Sequence, residues 1–288
     1  MNLNDLLQQI PDSRRLAFLA NDPLSLPRRY VSREDREVAA FFSASLAYGR
    51  AAMIRRNLDD LFGRMPEGPA AFVRDFHPAR DAERLAGFKH RFNDAGDMVA
   101  LCWILRTMLE AAGSLENFFL RGDDGRGDIG PALISFVQRA LICDMSPVCG
   151  QAGLPKQAGV RYFFPSPATG SACKRLCMFL RWVCRPDDGI DLGLWRGIDP
   201  ARLVLPLDTH TARISRLIGL TGRNTPNWKM ALEITERLRQ FDPQDPVRFD
   251  FVLSHLGISE GCSGKKGTVC LSCPVAEHCL VAKGEGGR

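Results

Sequence analysis

Residues 206–220 read PLDTHTARISRLIGL. Ile214, Leu217 and Ile218 recur at helical spacing, and Asp208 stands where the N-cap of that helix belongs. The same apolar period recurs on both sides of this stretch. It marks helices over 34–62, 97–120, 131–142 (with Pro131 suited to the first turn), 171–184, 226–240 and 246–257. Strand patterns are weak throughout and no internal repeat is present. Residues 121–130 are a loop by composition. Residues 144–167, with four prolines and three glycines, read as a long irregular connection or an insertion. The expected fold class is all-α.

The chain has 288 residues, 45% hydrophobic and 25% charged, which excludes a mostly disordered protein. No apolar run reaches the ~18–20 residues of a spanning helix. The N-terminal MNLNDLLQQIPDSRR has no apolar signal core, so a cytoplasmic protein in a reducing compartment is expected, with no membrane partner. A net charge of +5 and a pI near 8.7 permit a polyanionic partner without demanding one. Ten cysteines in such a compartment are apolar fillers, metal ligands or both, rather than a disulfide framework.

Cys262, Cys270, Cys273 and Cys279 form C-x7-C-x2-C-x5-C near the chain end. A loop this short cannot bury enough apolar area to order itself, so a metal is expected to supply the free energy. Structural zinc sites usually pair two C-x2-C hooks. One hook flanked by single cysteines favours a [4Fe–4S] cluster, with Zn as the alternative. Lys265, Lys266 and Lys283 surround these thiols and could offset their charge or touch phosphates. Cys173, Cys177 and Cys184 share one helix face and read as core packing.

Asp208 taken alone is a helix cap. The same geometry also holds a rigid, ionised carboxylate that can steady positive charge on a sugar ring or take a proton from a nucleophile. Arg213 and Arg216, further along the helix, are surface charges or phosphate contacts.

Together, these features resemble the helix-hairpin-helix DNA glycosylases of the endonuclease III-like (HhH-GPD) superfamily. Leu207-Asp208-Thr209-His210 is similar to the Val-Asp-Thr-His segment that carries the catalytic aspartate there. The cysteine spacing is similar to C-x6-C-x2-C-x5-C, with one residue more in the first gap. FFSASLAYGR at 41–50 resembles the start of the superfamily's N-terminal helices. The closest resemblance is to a bacterial family within it that is carried as a domain of unknown function. The marks are PSPATGSACKRLCMFLRWV at 165–183, LGLW at 192–195, PLDTH at 206–210 and FDPQDPVRFDFVLSHLG at 241–257. The chain departs from the superfamily at its hairpin. Leu-Pro-Gly-Val-Gly is answered by Ser166-Pro167-Ala168-Thr169-Gly170, where alanine replaces one glycine. The lysine of lyase-competent members is answered by Ala172. Lys174 lies two residues later, about 200° around a regular helix.

The resemblance implies a two-lobed helical fold with a C-terminal iron–sulfur loop. Residues 1–30 would pack on the C-terminal lobe, 31–225 would form a helical domain with a degenerate hairpin, and 226–288 would carry the last helices and the four cysteines. It implies a monomeric, bacterial, nucleoid-associated repair enzyme acting on duplex DNA. Asp208 would be the catalytic carboxylate for hydrolysis of a flipped base. Pro167, Thr169, Gly170, Ser171, Arg175, Arg181 and Arg213 would hold the DNA. Two alternatives are open: a non-catalytic nucleic-acid-binding protein of the same fold, and an abasic-site lyase acting through Lys174. Lys174 is otherwise a phosphate or structural contact. Trp195 is a base-stacking residue or a core plug. FKHRFN at 88–93 suits a base pocket, a strand contact or a core joint.

Overall fold

The computed structural model describes residues 19, 22–251, 253–254, 262–273 and 275–284. The main helices are α1 (Arg33–Ser45), α2 (Ala51–Gly63), α3 (Pro69–Asp75), α4 (Ala95–Ala112), α5 (Leu115–Leu120), α6 (Gly130–Leu141), α7 (Lys174–Cys184), α8 (Thr209–Leu217) and α9 (Trp228–Arg239). One two-residue antiparallel ladder, β1 (Lys89–His90) with β2 (Asn93–Asp94), is the strand structure among the described residues. The protein is all-α, as the apolar period indicates. No described helix is long and apolar enough to cross a membrane.

α1 lies at the centre. Every residue from Glu37 to Ser45 is buried, and the helix packs against α7, α3 and the turn at Pro27–Arg29. A helix covered on all faces needs its polar groups satisfied inside. Glu37 meets this need by accepting hydrogen bonds from the Leu115 amide (3.1 Å), the Glu116 amide (3.0 Å) and Trp195 Nε1 (2.6 Å). Its carboxylate thereby caps α5. Burial raises the Glu37 carboxyl pKa, and those donors offset part of the rise. Phe41, Phe179 and Trp195 stack edge to face around it. Trp195 is therefore a core plug, 2% exposed, and not a base-stacking group. One contiguous core runs from Leu24 to Val275.

Several expected helices are broken or shortened. The run 34–62 is two helices, parted at Leu46–Arg50, where Gly49 takes φ 107°, a conformation open to glycine at little cost. This break turns Tyr48 and Gly49 toward the surface. The run 97–120 is parted at Gly113, a left-handed cap of α4, and at Ser114, whose hydroxyl accepts from the Asn117 amide and starts α5. The run 171–184 begins only at Lys174. The 246–257 helix opens with a 3-10 turn at Pro246–Phe249, and part of it lies outside the described residues. Residues 144–167 are largely irregular, as their prolines imply. Of the 1–30 segment, residues 19 and 22–30 are described. Arg28 ties them to residues 187–191, donating to Ile190 O (3.0 Å), Asp191 O (2.5 Å) and Asp187 Oδ1 (2.7 Å). Most of residues 1–21 lie outside the described residues.

Candidate active site

α7 and α8 meet end to end at a cleft. The N-terminus of α8 is capped by Asp208, whose Oδ1 accepts from the Thr211 amide at 2.8 Å. Its Oδ2 lies 3.3 Å from Lys174 Nζ. The carboxylate is half-buried, with its side chain 20% exposed. Burial pushes the carboxyl upward, but the Lys174 ammonium and the Thr211 amide more than offset this, and the group titrates below the usual aspartate range. It is ionised at neutral pH and held from two sides.

Lys174 reaches this point because α7 starts late. Residues 171–173 are not helical. Cys173, just before the helix, has φ 49°, a left-handed conformation rare for a residue with a side chain. The 200° separation expected for Lys174 assumed a regular helix from residue 171. The structure corrects it: Lys174 is the first helical residue and faces Asp208.

The pair opens into a cleft of about 1030 Å³ whose walls include Tyr48, Gly49, Arg161, Tyr162, Met178 and His210. Asp208 and Asp22 are the acidic residues of its lining. Ser171 and Arg175 also reach it. The turn Ser166–Gly170 stands beside it. Ser166 Oγ accepts from the Ala168 amide (3.3 Å), and Thr169 Oγ1 donates to Ser166 O (2.9 Å). Gly170 adopts φ 79° and its carbonyl accepts from the Trp228 amide at 3.1 Å, fixing the turn to α9. Pro167 is buried beneath the turn, while Thr169 and Gly170 are exposed.

The arginines expected on DNA divide. Arg181 is corrected to an internal role. Its side chain is 5% exposed, paired with Asp250 at 2.5 Å and Asp191 at 3.3 Å, so no phosphate reaches it. Arg185 extends the same buried network through Asp191 and Asp245. Arg175 is also mostly buried, donating to Ser45 O (2.9 Å) and to Tyr162 O. It acts on the cleft from behind. Arg213 is half-buried with Nη2 3.3 Å from His210 Nδ1. A Cβ at Gly264 would lie 3.2 Å from Arg213 Cδ, so Arg213 sits between α8 and the cysteine loop.

Cys262, Cys270, Cys273 and Cys279 all line one small cavity of about 90 Å³, together with Ile214 and Leu217 of α8 and Ile218 at its C-cap. The helix that carries Asp208 at its start thus lines the cysteine pocket with its far end. Burial raises the Cys273 thiol pKa, and the other three cysteines add to the rise. Among the described residues, no three His, Cys, Asp or Glu side chains are gathered closely enough to hold a single metal ion. Tetrahedral zinc with ~2.3 Å bonds needs its sulfurs only ~3.8 Å apart. The remaining cysteines read as core are core: Cys173, Cys177 and Cys184 are buried.

Sequence reasoning missed Arg161 and Tyr162. The available signal was a polar-tipped ring inside the apolar run 160–164, where Val160, Phe163 and Phe164 are buried and Tyr162 is exposed.

No curated protein and no solved structure matches this chain. Residues 22–259 match a family described as "Protein of unknown function (DUF2400)". That match covers most of the chain, including the cleft and Asp208, and the protein belongs to the DUF2400 family.

Proposed function

We propose that this protein is a DNA glycosylase related to the helix-hairpin-helix superfamily, hydrolysing the N-glycosidic bond of a base extruded from duplex DNA. The observation that carries this reading is the Asp208 carboxylate, capped by Thr211, paired with Lys174 and open to a large cleft. An extruded nucleotide needs a concavity of this kind. As the C1′–N bond breaks, the base leaves with the bonding electrons and positive charge grows on the sugar. An ionised, immobile carboxylate stabilises that charge without reorganising. Water then bonds to C1′, and Asp208 accepts its proton. The exposed turn at Thr169–Gly170 and the nearby Ser171 would hold the DNA backbone.

The four cysteines suit an iron–sulfur cluster, held by Cys262, Cys270, Cys273 and Cys279. The support is the donor set itself, four thiols that line one small cavity. Such a group would act as a structural staple on the far end of α8.

A second reading rests on the 3.3 Å contact between Lys174 Nζ and Asp208 Oδ2. Once its proton is lost to solvent, Lys174 can attack C1′, displacing the base and leaving an amine-linked sugar that rearranges to a Schiff base. Borohydride then reduces the C=N bond and traps the adduct.

The test is a panel of lesion-bearing duplexes incubated with the reconstituted protein. Free base released by wild type and lost in Asp208→Asn supports the glycosylase. A borohydride adduct lost in Lys174→Ala supports the lyase. Binding without either product favours a nucleic-acid-binding protein.

A further inference from the structure

We infer that Tyr48, Phe92 and Tyr162, gripped from behind by Arg175, form a stacking site for an unpaired nucleobase at the rim of the cleft. This rests on the reading of the cleft as a DNA site. The three rings come from separate parts of the chain: the α1–α2 break, the tip of the β1–β2 turn and the irregular connection. Tyr48 and Phe92 stack at 5.3 Å and 29°. Tyr162 stands edge-on to Tyr48 (5.0 Å) and to Phe92 (4.7 Å).

The cluster is fixed rather than fortuitous. The Tyr48 hydroxyl is within hydrogen-bonding reach of Asn93 Oδ1 and of His90 O (3.2 Å). Asn93 Nδ2 in turn donates to Gly159 O at 3.2 Å, joining the β1–β2 turn to the segment that carries Tyr162. The Arg175 guanidinium lies 3.7 Å from the Tyr162 ring centroid and 5.2 Å from that of Tyr48. Arg175 forms no ion pair with a carboxylate among the described residues. A mostly buried cation held only by two carbonyls and two ring faces leaves positive potential in the cleft wall.

Despite this rigid mounting, Phe92 is 55% exposed and Tyr162 41% exposed. The rim around them is basic: Arg50, Lys89 and Arg91 are exposed. Arg91 sits at the turn tip with φ 55°, and its side chain lies against Gly49, where a Cβ would be 3.1 Å from Arg91 Cδ. Strained residues of this kind persist where the surroundings over-determine them. The acidic neighbours are engaged locally, although Asp94 itself is exposed. Asp94 accepts from the Gly96 and Asp97 amides at the start of α4, and Asp97 accepts from Asn93. Exposed rings within a basic rim suit a base with its flanking phosphates.

The probe is a duplex carrying one unpaired 2-aminopurine, compared with the same duplex fully paired. Wild type should bind the unpaired duplex more tightly and quench its fluorescence. Phe92→Ala and Tyr162→Ala should each weaken that binding by about 10- to 100-fold, with little change for the paired duplex and an unchanged salt slope. Phe92→Trp should restore both affinity and quenching. Arg175→Lys should reduce quenching, since a lysine cannot hold the Tyr162 carbonyl and ring together. Arg91→Gln should lower the salt slope by about one. Equal affinity for both duplexes, with Phe92→Ala indistinguishable from wild type, overturns the stacking site. In that case base release dependent on Asp208 would leave the glycosylase reading standing. A wild-type protein that binds neither duplex overturns both.

Discussion

Replacing Asp208 by asparagine and by alanine separates the two roles its carboxylate could play. Asparagine is as good an N-cap as aspartate, so Asp208→Asn keeps an acceptor for the Thr211 amide, now 2.8 Å from Oδ1. It loses the pairing with Lys174, whose side chain is 36% exposed. A pair that wet contributes only about 0–1 kcal/mol. Alanine loses the cap as well, a further cost of about 1 kcal/mol. In urea or thermal unfolding, Asp208→Asn should therefore lie within about 1 kcal/mol of wild type. Asp208→Ala should lie about 1 kcal/mol below the asparagine variant, or roughly 2–4 °C in Tm for a chain of this size. If the asparagine variant is as unstable as the alanine variant, the cap geometry is wrong and the charge itself holds the helix end. The reasoning that treats the carboxylate as available for chemistry then fails.

Arg181→Met leaves Asp250 and Asp191 facing each other inside the core. Loss of one partner of a buried pair costs about 3–5 kcal/mol, and Arg181→Met with Asp250→Leu should recover part of it in denaturant titration. No recovery would mean that Arg181 acts mainly by packing. Burial pushes the Asp250 carboxyl pKa up to about 6, which Arg181 only partly offsets. A raised carboxyl contributes stability below its unfolded value near 3.9 and loses it as pH rises through about 6. The stability difference between wild type and Asp250→Asn should accordingly fall from pH 4 to pH 7, and a flat difference would contradict the shift. Protein purified without oxygen should carry about four irons, and Cys273→Ser should lose most of them along with part of the thermal stability. Stoichiometric zinc in place of iron would overturn the cluster assignment.

The helical architecture was legible because its signal is local. Apolar period marked the main helices except the short α3 (Pro69–Asp75), which it did not predict, and Asp208 was visible as a cap because N-caps are read from adjacent residues. The helix breaks were less legible. Gly49 lies within a strongly periodic run, yet it takes φ 107° with the Arg91 side chain beside it, a neighbour from a distant segment. The position of Lys174 depended on a left-handed Cys173, which no propensity favours. Arg181 was expected on DNA from the resemblance. Its partners, Asp191 and Asp250, lie on distant segments that meet only in the fold. Tyr162 escaped notice for the same reason: an aromatic in an irregular connection gains meaning only from Tyr48 and Phe92 beside it.

The most direct measurement follows free base by chromatography after incubating the iron-loaded protein with duplexes bearing damaged or mispaired bases. The account predicts that at least one duplex loses its base to wild type, at a rate lowered by at least about 100-fold in Asp208→Asn. Base release that is undiminished in Asp208→Asn, or none from any duplex despite tight binding, would contradict it.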